Sequence, residues 1–257
     1  MNSYQGLAAY YDRLMQTDYA ARADYLLSLF KLHGAAPRSL LDLACGSGQL
    51  TAELAARGLD MTGVDASAEM LSLATERVPE EVLLLCQPMQ ALDLYDTVDG
   101  CVCTMDGFNH LIRTADIAAT LMRLRLFIAP GGLLIFDVNT PYKHRVLLGD
   151  RDFVLEDDGL LCAWQNRCTP RTGEVRMTLD FFEEQPDGTY IRTGDEIRER
   201  AYTLPTWRRL LADAGFETVA VYDDMTAAPA TDDAERWVIV ARNTRPADEY
   251  FAKEDEA

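Results

Sequence analysis

Basic residues, histidines and long apolar runs are scarce in this chain of 257 residues. The 24 Lys and Arg residues are outnumbered by 42 Asp and Glu residues, so the formal net charge is −18, and there are 3 His residues. Such a negative surface repels phosphate backbones and disfavours a nucleic-acid partner, whereas it attracts cations. Neither a membrane-spanning run nor the basic and apolar regions of a secretory signal can be recognised. We therefore expect a cytoplasmic protein without a membrane partner.

Cysteine pairs of the metal-binding kind are also missing. The six cysteines lie in or beside apolar runs, and Cys101 and Cys103 fall on one face of a predicted strand. No second close pair completes a zinc site, and disulfides are unusual in the cytoplasm. We expect core thiols and no bound metal.

A glycine-rich turn lacks the features that bind phosphates. Residues 40–48 read LLDLACGSG, in which an apolar run ends at Asp42, and Gly46 and Gly48 then allow a sharp turn. A threonine stands where the dinucleotide fingerprint has its third glycine, and no Walker lysine follows. A second apolar run ends at Asp65, whose carboxylate can accept hydrogen bonds from two ribose hydroxyls. This pattern predicts a nucleoside-binding crevice at the carboxyl ends of parallel strands, for a ligand with a positive centre and no phosphates.

These motifs resemble those of the class I S-adenosylmethionine (SAM)-dependent methyltransferases, and in particular the small uncharacterised bacterial members with an inserted antiparallel sheet. The resemblance implies transfer of a methyl group from the sulfonium to an N or O, possibly C, nucleophile of a small-molecule acceptor. S-Adenosylhomocysteine (SAH) would be the product. Two other hypotheses are a non-catalytic SAM- or nucleoside-binding regulatory module and an RNA-directed methyltransferase. An NAD-dependent oxidoreductase fits less well.

The resemblance also implies a set of cofactor-binding residues around the crevice. Pro88 stands where many relatives carry Asp, which puts a carboxylate contact with adenine in doubt, although Met89 can still pack on the purine. Tyr11 belongs to an aromatic segment that relatives fold over the cofactor as a lid. The implied residues are Tyr11, Asp42, Ala44, Gly46, Gly48, Asp65, Ala66, Met70, Pro88, Met89 and Asp106.

Candidates for catalysis and for acceptor binding follow from two further segments. After the fourth predicted strand, Asp106 could orient the methionine moiety or an acceptor amine, and His110 could take the acceptor's proton. Asn109 lies between them as a possible substrate contact. In residues 195–200, alternation places Glu196 and Arg198 on one face of a strand. That face either covers the crevice and contacts substrate, or meets solvent as a ladder of salt bridges.

Alternating short apolar runs and helical patterns predict a Rossmann-like, doubly wound, mostly parallel seven-stranded sheet that ends in an antiparallel strand. Between about residues 153 and 202 the helical period disappears, which predicts a small antiparallel β insertion after strand five. We expect a lid segment and SAM-binding core over 1–148, the inserted sheet over 149–203, completion of the core over 204–243 and a charged tail over 244–257. The assembly is expected to be a monomer or a homodimer.

Overall fold

The structure, a computed structural model, describes residues 10, 13–14 and 17–246. Its eleven strands form two sheets. The strands are β1 (Ser39–Leu43), β2 (Asp60–Asp65), β3 (Leu83–Cys86), β4 (Val98–Cys103), β5 (Ile128–Asn139), β6 (Asp152–Asp157), β7 (Leu160–Thr169), β8 (Glu174–Glu184), β9 (Tyr190–Arg200), β10 (Phe216–Asp223) and β11 (Arg236–Asn243). The central sheet has the order β10-β11-β5-β4-β1-β2-β3, and the smaller sheet the order β6-β7-β8-β9.

The first five strands of the central sheet run parallel to their neighbours, so their carboxyl ends meet at one edge. In this register, Asp42 of β1 lies opposite Gly63 of β2 on one side and Val102 of β4 on the other. Strand β11 pairs antiparallel with both β5 and β10. The predicted fold class is therefore confirmed, including the antiparallel strand at the end of the chain's core.

Five helices cover the central sheet: α1 (Tyr19–Leu32), α2 (Gln49–Ala56), α3 (Ala68–Arg77), α4 (Thr114–Phe127) and α5 (Leu204–Asp213). Helix α3 starts where predicted because the Ser67 hydroxyl accepts a hydrogen bond from the Met70 N–H at 3.2 Å, which caps the first turn. None of the helices within the described ranges is long and apolar enough to cross a membrane.

Apolar side chains fill both faces of the central sheet. On one face, Phe108, Phe136 and Trp207 form a cluster with ring centroids 4.9 to 5.7 Å apart. On the other face, Leu26 and Phe30 of α1 pack in the second buried cluster. The sheet is thus buried on both sides, as parallel sheets require, and its ligand-binding edge is held rigidly.

The proline and two glycines at residues 130–132 predict a turn that precedes a fifth strand over residues 133–138, and this predicted start is wrong. We expected a turn at Pro130, Gly131 and Gly132, but β5 already begins at Ile128 and runs through these residues. The pairing with β4 shifts register between Val98 and Gly100, as at a bulge. A Cβ on Gly132 would lie 2.5 Å from the Asp99 carbonyl oxygen. The glycine therefore permits close strand approach here, not a chain reversal.

The second sheet is the predicted insertion between β5 and α5. A π-helical segment, Lys143–Leu148, leads into it, and its four strands pair antiparallel in sequence order. One face is apolar, with Met177, Leu179 and Phe181 in a buried cluster that also contains Tyr10. This apolar face lies over the carboxyl edge of the central sheet and closes the site described below.

Candidate active site

A cleft of about 310 Å³ lies between the carboxyl edge of the central sheet and the apolar face of the inserted sheet. Many of the residues predicted for the cofactor and for catalysis line it together. These are Asp42, Ala44, Gly46, Asp65, Ala66, Met70, Met89, Asp106 and His110. Tyr11 lies outside the described residues.

The glycine turn after β1 contains three residues with positive φ. Ala44, Gly46 and Gly48 have φ of 61°, 54° and 76°, a region that favours glycine. A Cβ on Gly48 would lie 2.9 Å from the Ala74 Cβ, and Gly48 is not among the residues that line the cleft. Gly48 therefore lets α2 pack closely on α3, and Gly46 is the glycine at the ligand.

Asp65 at the end of β2 is positioned by two backbone donors. The Gly46 N–H donates to Oδ2 at 2.9 Å and the Ser67 N–H to Oδ1 at 2.8 Å. A carboxylate oxygen accepts two hydrogen bonds, so each oxygen has a further lone pair for a ligand. Two adjacent acceptors suit the two hydroxyls of a ribose, and the side chains of Ala66, Met70 and Met89 add apolar wall beside them. The residues present therefore fit a nucleoside.

Asp42 at the end of β1 is almost completely buried, with 2% of its surface exposed. Burial raises the pKa of this carboxyl to about 7, the Thr51 hydroxyl opposes that rise, and the Asp65 charge adds to it. The Thr51 Oγ1 donates to the Asp42 Oδ2 at 2.6 Å. Thr51, which stands where the dinucleotide fingerprint has its third glycine, thus positions the Asp42 carboxyl.

The segment after β3 departs from the pattern of relatives in a way that the structure explains. Pro88 starts a 3₁₀ turn over Met89–Ala91, with φ of −72°, and its carbonyl accepts from the Ala91 N–H at 2.9 Å. The side chains of Gln87 and Met89 line the cleft, and that of Pro88 does not. Pro88 shapes the turn that presents its two neighbours.

A charged cluster that the sequence did not indicate supports Asp106. Asp137, with 1% of its surface exposed, accepts from the Met105 N–H at 2.9 Å and from the Asp106 N–H at 2.8 Å. Both donor residues have positive φ, 54° and 60°, so the Asp137 carboxylate offsets a strained backbone. Arg236 of β11 forms ion pairs with Asp106 and Asp137, and Arg22 of α1 lies 3.4 Å from Asp137.

This cluster keeps Asp106 ionised. Burial raises the pKa of its carboxyl, but Arg236, Lys143 and His110 outweigh burial and lower the pKa to about 2. Burial lowers the pKa of Arg236, whereas Asp137 and Asp106 raise it well above its usual range. An acid with so low a pKa is a poor proton acceptor at neutral pH. Asp106 is therefore suited to attract and orient a cationic group at the centre of the cleft.

Glu199 of β9 marks the other end of the cleft, and sequence reasoning missed it. It has 4% of its surface exposed and lines the cleft. Its Oε2 accepts from the Asn139 Nδ2 at 3.0 Å, and the same amide group donates to the Asp106 Oδ2 at 2.7 Å. His110 also lines the cleft, with its Nε2 4.0 Å from the Glu199 Oε1. Asn139 thus joins the two carboxylates through one amide group, which holds them close together in the cleft wall.

Asn109 is buried and lies outside the cleft lining. Its Oδ1 accepts from the Asn139 N–H at 2.8 Å, and its Nδ2 donates to the carbonyls of Asn139 and Arg200 at 3.2 and 3.0 Å. The side chain ties β5 to the end of β9. It therefore aligns the strands that carry Asn139 and Glu199, and the expected contact with substrate is not what this geometry provides.

The structure places Glu196 and Arg198 on the outer face of β9, away from the cleft. Arg198 pairs with Glu174 and Glu196 with Arg176, the latter at 3.5 Å, and all four are at least partly exposed. This corrects the expected contact with substrate and selects the salt-bridge ladder. Side chains alternate along β9 as predicted, and the face opposite to Glu196 and Arg198, which carries Glu199, lines the cleft.

The part of the cleft wall that belongs to the inserted sheet is apolar apart from Glu199. None of these side chains was proposed as a site residue, because strand alternation alone does not reveal which face meets a cleft. They are Leu155, Cys162, Trp164, Met177, Leu179, Phe181 and Ile197. Such a wall excludes water and strengthens the electrostatic interactions of the carboxylates below it.

Comparison with known proteins identifies the family. The methyltransferase domain family matches residues 40–132. The putative methyltransferase YqeM of Bacillus subtilis (strain 168) is 28% identical, over 94% of this chain and 98% of that protein. The glycine/sarcosine N-methyltransferase of Parasynechococcus marenigrum (strain WH8102) is 31% identical, over 83% of this chain and 75% of that protein.

A solved structure agrees with the fold over nearly the full length of the chain. The crystal structure of a SAM-dependent methyltransferase from Clostridium acetobutylicum ATCC 824 superposes with a TM-score of 0.83 at 27% identity, covering 94% of this chain and 99% of that chain. These matches show that the chain belongs to the class I SAM-dependent methyltransferases, and the glycine turn and the position of Asp65 agree with this family.

Proposed function

We propose that this methyltransferase transfers the methyl group of SAM to an amine nitrogen of a small-molecule acceptor, with a hydroxyl oxygen as the second kind of acceptor. The observation that carries the proposal is the pair of carboxylates, Asp106 and Glu199, that Asn139 joins beneath an apolar roof. The Glu199 carboxylate, which the apolar inserted sheet presents to the cleft, favours an acceptor with a basic nitrogen.

SAM supplies an electrophilic methyl group on a sulfonium sulfur. Asp65 would hold its ribose, Ala66, Met70 and Met89 would flank the adenine, and the turn at Gly46 would line the sugar side. Asp106 would attract the positive methionine moiety. The protein's main contribution is alignment of donor and acceptor and exclusion of water, since the sulfonium is already a good leaving group.

Size and charge support a small molecule over RNA. The acceptor would share this cleft of about 310 Å³ with SAM, so only a small acceptor would fit. Among the described residues that line it, the permanent cations are Lys143 and Arg236, and both are engaged by neighbouring side chains. No row of free cations that would hold a phosphate backbone is evident among these lining residues. The relative from Parasynechococcus marenigrum is named an N-methyltransferase, which agrees with nitrogen as the acceptor atom.

We propose residues 149–203 as the subdomain that selects the acceptor. This inserted sheet contributes the apolar roof and Glu199, whereas the ribose and adenine contacts come from the central sheet. Insertions at the mouth of a shared scaffold are where specificity commonly lies.

The test has two stages. Calorimetric titration with SAM, SAH and NAD should show binding of the two sulfur nucleosides and none of NAD. Release of SAH is then measured with a panel of small amines and with alcohols of the same carbon skeletons. Turnover of amines supports the proposal. Turnover of alcohols alone would move the acceptor atom to oxygen, binding without any turnover would favour the regulatory module, and absence of binding would overturn the proposal.

A further inference from the structure

One buried histidine at the acceptor end of the cleft is fixed in a single tautomer. The side chain of His144 is fully buried, and its Nδ1 lies 2.9 Å from the Gly173 carbonyl oxygen. A carbonyl oxygen can only accept, so Nδ1 must carry a hydrogen. The Nε2 atom is therefore the one ring position at which His144 can gain or lose a proton.

That Nε2 atom meets a carboxylate. It lies 3.3 Å from the Glu199 Oε2, an oxygen that also accepts from the Asn139 Nδ2 at 3.0 Å. Without a further proton, the lone pair of Nε2 would oppose a lone pair of the carboxylate in a site that excludes water. One proton between Nε2 and Oε2 turns this repulsion into a hydrogen bond. The geometry is thus arranged to hold one proton.

We propose that Glu199 and His144 together form the proton acceptor for an amine substrate, an inference that rests on the proposed function. The acceptor enters the cleft as an ammonium. Its N–H bond breaks, the electron pair stays on nitrogen as the nucleophile, and the proton passes to the Glu199 carboxylate, where Nε2 of His144 shares it. The charge of the pair changes from −1 to 0. Glu199 is the catalytic residue, and His144 is a positioning residue that acts through it.

The groups around the pair favour this role. Lys143 donates to the Asn139 Oδ1 at 2.9 Å, and the amide nitrogen of Asn139 serves both Glu199 and Asp106. The Asp106 charge favours a proton on the pair, whereas Lys143 and the nearby His110, at 4.0 Å from Glu199, oppose it when they are charged. Arg236 offsets much of the Asp106 charge. The charges around Glu199 and His144 are therefore of both signs, and neither sign acts alone on the proton that the two residues share.

Nuclear magnetic resonance of the histidine rings tests the pair without any acceptor. The chain has 3 His, so the ¹⁵N-labelled ring signals can be assigned with His33→Asn, His110→Asn and His144→Asn variants. We expect Nδ1 of His144 to stay protonated at every pH, while Nε2 gains its proton as the pH falls. In Glu199→Gln, the side-chain amide can donate to Nε2, so the midpoint of that titration should fall by about one pH unit or more. An Nε2–H tautomer, or a midpoint unchanged in Glu199→Gln, would overturn the proposal.

Steady-state kinetics then tests the catalytic role, with His144→Asn as the variant. The asparagine amide keeps a donor for the Gly173 carbonyl and lacks the Nε2 position. We expect kcat/KM for an amine to fall about 10²-fold and the acidic limb of its pH profile to move, while the Kd for SAH stays within error. An unchanged pH profile in His144→Asn would refute the role of the pair. If the wild type methylates no amine but the ring titration behaves as expected, the proposed function fails and the proton-holding pair stands.

Discussion

Replacement of Asp42 by Asn should stabilise the SAM-free protein, although Asp42 lines the cleft proposed to bind SAM. Asp42 lies in β1 between β2 and β4 with 2% of its surface exposed, and burial raises the pKa of its carboxyl to about 7. The folded protein therefore holds this proton more tightly than the unfolded chain does. Asparagine is nearly isosteric, carries no charge, and can still accept from the Thr51 hydroxyl, which donates at 2.6 Å.

The sign and size of the effect follow from proton linkage. Below about pH 4 the carboxyl is protonated in both states and contributes no pH dependence. As the pH rises from about 4 to about 7, the unfolded chain loses the proton first, so the wild type loses stability, and above about 7 the loss is complete. A difference of about three pKa units corresponds to about 4 kcal/mol, which is the upper limit of the gain in Asp42→Asn. One kcal/mol raises the Tm of a protein of this size by about 2 to 4 °C.

The assay is thermal unfolding of the wild type and of Asp42→Asn without ligand, between pH 4 and pH 8. The two Tm values should coincide near pH 4 and diverge by several degrees at pH 8, with the variant higher. Asp60→Asn is the matched control, because it makes the same chemical change at an exposed position in β2 and should shift Tm by less than about 1 °C at either pH. A variant that is no more stable than the wild type at pH 8 would refute the buried-charge reasoning.

Two further predictions concern ligand contacts. Asp65→Ala should weaken SAH binding about 100-fold in calorimetry, since two acceptors for the ribose are lost. It should also lower Tm, because the Gly46 and Ser67 N–H groups lose their acceptor. Asp60→Asn should bind SAH normally, and equal affinities in all three proteins would contradict the assignment of Asp65 to the ribose. On β9, Arg198→Ala should leave the KM for the acceptor within about twofold, because its pair with Glu174 is exposed, whereas Ile197→Ala should raise that KM about tenfold through lost apolar contact. Equal effects of the two would contradict the assignment of the strand faces.

Elements set by local patterns could be predicted from the sequence, and those set by close backbone approach could not. The sequence predicts a helix over about residues 19–32, before Gly34 and Pro37, and a strand over residues 39–43. Helix α1 (Tyr19–Leu32) and strand β1 (Ser39–Leu43) have these bounds, because the apolar pattern and the flanking turn residues agree there. Strand β5 was misjudged because residues 130–132 have the composition of a turn. The space around Gly132 depends on the Asp99 carbonyl of a strand about 30 residues away, and nothing in the local sequence reports that distance.

The same contrast between local and long-range contacts applies to the residues of the candidate site. Asp65 could be predicted because its partners, Gly46 and Ser67, belong to the two motifs that frame it. The roles of Asp137, Arg236 and Glu199 could not be predicted, because they depend on contacts between distant parts of the sequence. Asp137 and Arg236 are 99 positions apart, and Asn139 and Glu199 are 60 positions apart. An acid inside an apolar strand such as β5 gives no signal of its role until the strands are assembled.

The charged cluster also explains how so acidic a site can fold. Asp106 and Asp137 are buried close together, and two like charges would destabilise each other without compensation. Arg236 lies between them, and Arg22 bridges Asp137 to Asp224. Breaking such a pair leaves an uncompensated buried charge, which costs several kcal/mol. These arginines come from α1 and β11, so the ion pairs of Asp106 and Asp137 join segments that are far apart in the chain.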